Sequence, residues 1–161
     1  MFYLLTYGLT TLGAFGVLML VRDGDGEATH LSQWAGLASR SPLTAGVMSL
    51  FLLALAGIPL TSGFTGKFAV FRAAIEAGAW PLVVIALLAS AVAAFFYLRV
   101  IVLMYFSQPT TGAGGLPGPT VGVPGLPTTI VLAVTAAATL ALGIVPGSVL
   151  ELAQQAAIFV G

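Results

Sequence analysis

The sequence predicts an all-α membrane protein with four transmembrane spans, the second of which is a discontinuous helix. Its 161 residues are 59% hydrophobic and only 6% charged, whereas soluble domains carry about 25% charged residues. The chain contains four long apolar stretches, which are separated by polar or Gly/Pro-rich segments. The second stretch, residues 43–78, runs for about 35 residues, which exceeds the roughly 20 residues of one straight span. It is still too short for two spans and a turn.

Several classes of function are excluded by composition. The chain has no cysteine, which removes disulfides, thiolate metal sites and thiol catalysis. One histidine, His30, and five acidic residues scattered along the chain do not supply a usual metal site. The formal net charge is zero and no basic cluster occurs, so we expect no nucleic-acid partner.

The first predicted span covers residues 2–21. No basic residue precedes it, and its apolar run is longer than the hydrophobic region of a signal peptide. Gly8, Gly13 and Gly16 give it small surfaces for close helix contact. Because a membrane protein rarely begins so abruptly with a span, we expect an upstream part of the same chain.

Residues 22–42 form the polar loop, in which Leu31 to Leu37, with Trp34, are predicted to lie along the membrane interface. His30 is interpreted as a solvated loop residue rather than a proton relay. Arg22 and Arg40 flank this loop, and the positive-inside rule places it in the cytoplasm.

The second span is predicted to break near residues 57–66. Pro59 removes a backbone donor and clashes with the preceding turn, and glycines lower helix stability beside it. A break leaves backbone groups unpaired, which lipid cannot satisfy, so it belongs inside protein or beside a water-filled cavity. The residues that we assign to the break are Gly57, Pro59, Thr61, Ser62, Gly63, Thr65 and Gly66. Their hydroxyls are predicted to cap the second half-helix.

Lys67 follows the break and is the candidate functional residue. It lies about 11 residues before Gly78, roughly 16 Å along a helix and near half the depth of a hydrocarbon layer about 30 Å thick. An unpaired lysine at that depth costs at least about 2.5–3.5 kcal/mol on insertion scales. Since burial disfavours the charged amine, such a lysine could exchange a proton near neutral pH. Its own helix offers no counter-ion, because its one acidic residue, Glu76, lies about 180° from Lys67 around the helix axis.

The rest of the chain supplies two further spans. Arg72 and Glu76 are four residues apart and are predicted to form an ion pair near the outer surface. Arg99, in the third span, is either a structural anchor or, with Tyr97, part of a polar channel. The third span is predicted at 82–106 and the fourth at 128–145. Between them, residues 107–127 are predicted to be a cytoplasmic Gly/Pro-rich loop without regular structure, and residues 148–160 an interfacial tail. All of these belong to a single transmembrane domain covering residues 1–161.

A family resemblance rests on the run from Leu55 to Phe68 (LAGIPLTSGFTGKF), on Phe95 to Val100 (FFYLRV) and on Met104-Tyr105-Phe106. These segments resemble subunit N of bacterial NADH-quinone oxidoreductase, the respiratory complex I. The similarity covers residues 1 to about 106 and is weak beyond them.

The resemblance implies the C-terminal part of an antiporter-like subunit, whose two inverted repeats each contain a broken helix with a lysine. Lys67 takes the position of the second of these lysines and would carry protons toward the outer side. The family's first repeat is missing from this chain, so the fragment would not pump alone.

The implied function is proton translocation as a subunit of an NADH:quinone oxidoreductase, with no redox centre in this chain. NADH, FMN, iron–sulfur clusters and quinone would be bound by other subunits. The implied partners are other membrane-arm subunits, the upstream part of the chain and the lipid bilayer. The implied location is the bacterial inner membrane, with the C-terminus outside.

Two alternatives remain open. The chain could belong to a multi-subunit cation/proton antiporter, which shares the antiporter-like fold without redox chemistry. It could also be a purely structural element of the membrane arm, in which case a Lys67→Met variant would keep full activity.

Overall fold

The protein is a bundle of helices joined at one end by a small sheet. The computed structural model describes residues 2–23, 26–109 and 119–144, and the predicted tail at 148–160 lies outside them. The helices are α1 (Phe2–Leu18), α2 (Leu37–Arg40), α3 (Pro42–Ala56), α4 (Ser62–Glu76), α5 (Trp80–Phe106) and α6 (Leu126–Ile144). A 3-10 turn spans Leu31–Trp34, and the strands are β1 (Val21–Asp23), β2 (Gly26–Glu27) and β3 (Thr120–Val121).

Helix α1 connects three of the other helices of the bundle. It packs against α3, α4 and α6, while α3 also packs against α5, and α4 also packs against α6. The core contains Phe51 of α3 and Met104 of α5, both fully buried, together with Val17 at the end of α1. The same element therefore contacts both helices that flank residues 57–61 and the last helix of the described chain.

Helices α5 and α6 are each long and apolar enough to cross a membrane, at 27 and 19 residues. Helices α1 and α3 are apolar but shorter, at 17 and 15 residues. Helix α5 begins at Trp80, slightly before the predicted residue 82, because Pro81 fits the first turn of a helix. Most of α5 faces away from the described residues, with large apolar side chains such as Leu88 and Phe95 exposed, as expected for a surface in contact with lipid or another chain.

The segment 107–127 is not wholly irregular, which corrects the sequence prediction. Strand β3 within it pairs antiparallel with β1, placing Val21 opposite Val121, and β1 also pairs with β2. The Gly122 amide donates to the carbonyl of Leu20 at 2.7 Å. Val21 is fully buried here, so this short pairing is stabilised by packing against the bundle. The two interhelical loops therefore lie at the same end of the molecule.

Trp34 is buried rather than interfacial, a second correction. Only 4% of its surface is exposed, and it belongs to the same core cluster as Leu37 and Met104. The Gly36 amide donates to the carbonyl of Leu103 at 3.1 Å, which holds this loop against the end of α5. Trp34 consequently has protein rather than lipid headgroups around it.

Arg40 joins the two loops through backbone carbonyls. One terminal nitrogen donates to Gln33 O at 3.0 Å and Ala35 O at 3.2 Å, and the other donates to Pro119 O. Its Nε is buried and has no partner among the described residues, and no described carboxylate forms an ion pair with it. Burial lowers the pKa of the guanidinium, which nevertheless stays protonated because an arginine starts so far above neutrality.

Replacing Arg40 with lysine is expected to destabilise this end of the bundle. Lysine keeps the positive charge but lacks the planar fork that reaches several carbonyls at once. Losing these charge-assisted bonds should cost about 1.5–3 kcal/mol, measured as earlier thermal unfolding of the purified full-length protein in its complex. Arg22→Lys, at an exposed position on β1, is the control. Equal effects of the two substitutions would contradict the assigned role of Arg40.

Candidate functional site

The candidate site lies where the chain passes from α3 to α4. Gly57 ends α3 in a left-handed conformation, with φ of 84°, which glycine adopts without the strain of a Cβ atom. Its amide donates to Leu53 O and Ala54 O, and the amide of Ile58 donates to Leu53 O. These bonds close the helix end in the manner of a Schellman motif. They leave the carbonyls of the last two residues of α3 available to other donors.

Lys67 takes up those two carbonyls. Its Nζ donates to Leu55 O at 3.1 Å and to Ala56 O at 3.2 Å. The carbonyl end of a helix carries partial negative charge, so an ammonium is favourable there. The side chain passes beside Gly57, where a Cβ would lie 3.1 Å from Lys67 Cδ. Residues 57–61, between α3 and α4, are called the interruption below. The lysine on α4 therefore bridges the interruption and contacts the end of α3.

Lys67 has no carboxylate partner among the described residues. Arg72 and Glu76 pair with each other instead, at 2.9 Å between Nε and Oε1, which confirms the predicted ion pair. The acceptors of Lys67 are thus neutral carbonyls of the preceding helix. The sequence prediction considered only side chains as partners of Lys67 and not these backbone groups.

Cavities lie on two sides of Lys67. A small one of about 10 Å³ lies between α1 and the ends of α3 and α4 that flank the interruption, with Thr6, Tyr7 and Thr10 in its lining. A larger one of about 300 Å³ lies between α4 and α5, where Ser90 brings a hydroxyl to a lining of mostly apolar residues such as Phe68 and Ala94. Lys67 therefore lines free volume on both sides.

The hydroxyl residues assigned to the break take different roles from the predicted one. Thr61 directly precedes α4, but its hydroxyl donates to Ile58 O at 2.7 Å and makes no side-chain cap of the helix. Ser62 is fully buried, with its Oγ 3.5 Å from Thr10 Oγ1. Thr65 is half-buried on α4. The predicted capping role is therefore wrong for Thr61, whose hydroxyl instead closes the turn from Ile58 to Thr61 that contains Pro59.

Two glycines assigned to the break permit close helix contact. A Cβ on Gly63 would overlap the carbonyl oxygen of Ala54. A Cβ on Gly66 would lie 3.0 Å from Thr6 Oγ1 and 3.1 Å from Tyr3 Cδ2. The first glycine lets α4 approach the end of α3, and the second lets it approach α1.

The two channel candidates on α5 lie apart from this arrangement. Arg99 is exposed and Tyr97 is partly buried against the core. Neither residue lines the two cavities beside Lys67. The structure thus brings Lys67 together with the interruption and α1, and leaves Arg99 on the outer face of α5.

Sequence reasoning missed a set of buried threonines. Thr6 and Thr10 of α1, and Thr135 and Thr139 of α6, are each at most 2% exposed. Each pair is spaced four residues apart, which places both members on one face of a helix. That spacing within otherwise apolar helices was the available signal for a buried polar face.

Comparison with known proteins identifies the family of the chain. The family model described as NADH:quinone oxidoreductase/Mrp antiporter, TM, matches residues 1–109. NADH-quinone oxidoreductase subunit N of Rhodococcus opacus (strain B4) is 60% identical over 159 residues, 99% of this chain and 28% of that protein. NADH-quinone oxidoreductase subunit N 3 of Streptomyces griseus is 61% identical over 160 residues, again 99% of this chain and 28% of the relative.

A solved structure matches as well. Respiratory complex I from Thermus thermophilus with bound aureothin contains a chain with a TM-score of 0.77 and 35% identity, over 93% of this chain and 33% of that one. The sequence thus spans about 28% of the length of the curated relatives that it matches. The chain belongs to the NADH:quinone oxidoreductase/Mrp antiporter transmembrane family, and is an integral membrane protein.

Proposed function

We propose that this chain is part of a proton-translocating membrane-arm subunit, subunit N, of a bacterial NADH-quinone oxidoreductase. The names of the relatives support this assignment, as does the match to a chain of respiratory complex I. NADH, FMN, iron–sulfur clusters and quinone are bound by other subunits in this proposal. The neighbouring membrane-arm subunits and the rest of the subunit N chain complete the assembly in the inner membrane.

We further propose that α3 and α4 together form one discontinuous span. Each has 15 residues, which corresponds to about 22 Å at a rise of 1.5 Å per residue. Neither alone covers a hydrocarbon layer about 30 Å thick, and the two in succession do. With α1, α5 and α6 they make four spans. The pairing of β1 with β3 supports a common side for the two loops. The positive-inside rule applied to Arg22 and Arg40 makes that side cytoplasmic in this proposal, with the C-terminus on the outer side.

The single observation that carries the proposal is the pair of bonds from Lys67 Nζ to Leu55 O and Ala56 O. They hold an ionisable amine at a helix interruption, without a described carboxylate to fix its charge. The helix-end carbonyls favour the ammonium, and any change that separates the amine from them favours release of its proton. Lys67 in this role accepts a proton, holds it at the interruption and releases it toward the outer side.

Lys67→Ala tests the proposal in the full-length subunit within the assembled complex. We expect NADH-driven acidification of inverted membrane vesicles to be largely lost, because alanine has no proton to carry. Arg72→Ala is the matched control, since Arg72 is an exposed cation on the same helix with its side chain 73% exposed. Unchanged acidification by the Lys67 variant, with a normal amount of assembled complex, would remove the proposal.

Two alternatives are separated by related measurements. The family description also names the Mrp antiporter, and sodium-dependent proton exchange by a complex free of flavin and iron–sulfur subunits would identify that function. The bonds of Lys67 to the end of α3 also fit a purely structural helix cap. If the Lys67→Met variant pumps at the full rate, Lys67 has only the structural role.

A further inference from the structure

Helix α6 packs directly on the interruption between α3 and α4. Gly143, near the end of α6, faces the backbone of Leu60 and Thr61. A Cβ built there would lie 2.5 Å from Thr61 C and 2.6 Å from Thr61 Cα, and it would also meet Leu60 O. A hydrogen atom is therefore the only substituent that this contact admits, so Gly143 determines how closely α6 approaches the interruption.

One turn earlier on α6, Thr139 contacts the same region through hydroxyl groups. Its Oγ1 lies 3.5 Å from Thr10 Oγ1 of α1, which in turn lies 3.5 Å from Ser62 Oγ at the start of α4. Thr139 and Thr10 are 1% and 2% exposed, and Ser62 is fully buried. The three hydroxyls join three helices in an interior that otherwise offers few polar partners.

The backbone between these contacts is strained. Leu60 has φ of 72°, a left-handed conformation that costs a non-glycine residue free energy and persists only where the surroundings enforce it. Its side chain is 71% exposed, so side-chain burial does not enforce it. The contact of Gly143 with the Leu60 carbonyl does supply such a constraint, from a helix distant in sequence.

We propose that Thr139 and Gly143 of α6 are positioning residues for Lys67, acting through the interruption. This inference rests on the proposed function, since it concerns where the proton-carrying amine is held. Thr139 fixes the start of α4 through Thr10 and Ser62, and Gly143 fixes the backbone of Leu60 and Thr61. Lys67 follows Ser62 by five residues on α4, whereas its acceptors, Leu55 O and Ala56 O, lie at the end of α3. The contacts of Thr139 and Gly143 therefore set the distance between α4 and the end of α3 that the Lys67 side chain spans.

Helix α6 lies beyond residues 1–109, the part of the chain that the family model matches. The proposal therefore gives α6 a role in the proton step, in addition to packing. It predicts that changes in α6 alter the coupling of pumping to NADH oxidation without any change to Lys67 itself.

The test uses the full-length subunit in the assembled complex, with Thr139→Val, Thr139→Ser and Gly143→Ala. Valine keeps the shape of threonine and removes the hydroxyl, while serine keeps the hydroxyl. We expect Thr139→Val and Gly143→Ala to lower severalfold the number of protons pumped per NADH oxidised and to shift the pH profile of pumping. Thr139→Ser should restore most of the pumping.

Matched controls are available in the same molecule. Gly46→Ala adds a methyl group to α3 where no atom of the described residues outside that helix lies within 4 Å, and Thr129→Val removes an exposed hydroxyl near the start of α6. Both controls should keep the wild-type number of protons pumped per NADH oxidised and the wild-type pH profile of pumping. The proposal is overturned if Thr139→Val keeps them as well, or if the two α6 variants only reduce the amount of complex.

The outcome also separates this inference from the proposed function. If Lys67→Ala abolishes pumping while both α6 variants match their controls, the positioning role alone fails. If Lys67→Ala pumps normally, the proposed function fails and the positioning role fails with it.

Discussion

Replacing Gly63 with alanine is expected to prevent the normal packing of α4 against α3, and so to abolish stable assembly of the subunit. The added Cβ would overlap the carbonyl oxygen of Ala54 and lie 2.8 Å from its carbonyl carbon. Because the obstacle is backbone, rotation of a side chain cannot relieve it. Overpacking typically costs about 1–3 kcal/mol, and more where the backbone must move.

The displacement should also reach Lys67. Gly63 lies one turn before Lys67, whose acceptors, Leu55 O and Ala56 O, directly follow Ala54. Moving α4 away from α3 therefore separates the amine from both carbonyls. The measurement is the amount of assembled complex in the membrane, followed by NADH-driven vesicle acidification for whatever assembles.

The control for Gly63→Ala is the same substitution at Gly46 within α3, where a Cβ would meet no described residue outside that helix within 4 Å. Alanine has the higher helix propensity, so Gly46→Ala should be neutral or slightly stabilising. A Gly63→Ala variant that assembled and pumped like Gly46→Ala would show that the close approach of α3 to α4 is not required.

The ion pair, the membrane class and the family could be predicted from the sequence, whereas the packing between distant elements could not. The pairing of Arg72 with Glu76 followed from their spacing and is confirmed. The helical membrane class followed from composition, and the family from the segments on either side of Lys67. These features are local in sequence, so a short window contains all the information that they need.

The contacts between distant elements were not predictable in the same way. When a helix is apolar on every side, hydrophobicity does not reveal which face is inside. Trp34 and β3 lie in short loop elements, where no periodic pattern marks a buried side, so nothing local indicated that Trp34 would be buried or that β3 would pair with β1. Likewise, the acceptors of Lys67 are backbone carbonyls, which every residue possesses and which no residue type reveals.

Replacing Phe51 with alanine is the substitution from which we expect the largest loss of packing between α1 and α3. Phe51 is fully buried, and its ring lies over Gly13 of α1, where a Cβ would be 2.5 Å from Phe51 Cε1 and 2.7 Å from Cε2. The ring therefore fills the space that the missing side chain of Gly13 leaves. In soluble cores a change from phenylalanine to alanine costs about 3–5 kcal/mol.

Part of that cost is absent in a membrane. Lipid tails are as apolar as a protein core, so little transfer free energy is gained by burying an apolar ring. The lost dispersion contacts and the cavity remain, and we expect a destabilisation of about 2–3 kcal/mol from these terms. The measurement is thermal unfolding of the purified complex, with Phe106→Ala as the control because Phe106 is 83% exposed.

A double substitution tests the geometry behind this prediction. Gly13→Ala alone should destabilise the protein, because its methyl group collides with the ring of Phe51. In Phe51→Ala the same methyl group enters the vacated space. The double variant should therefore lose less stability than the sum of the losses in the two single variants. A coupling energy of about 1 kcal/mol or more is expected for residues in direct contact. Strict additivity would mean that the two residues do not meet, and that α1, with Thr6 and Thr10 beside Lys67, is held against α3 by other contacts.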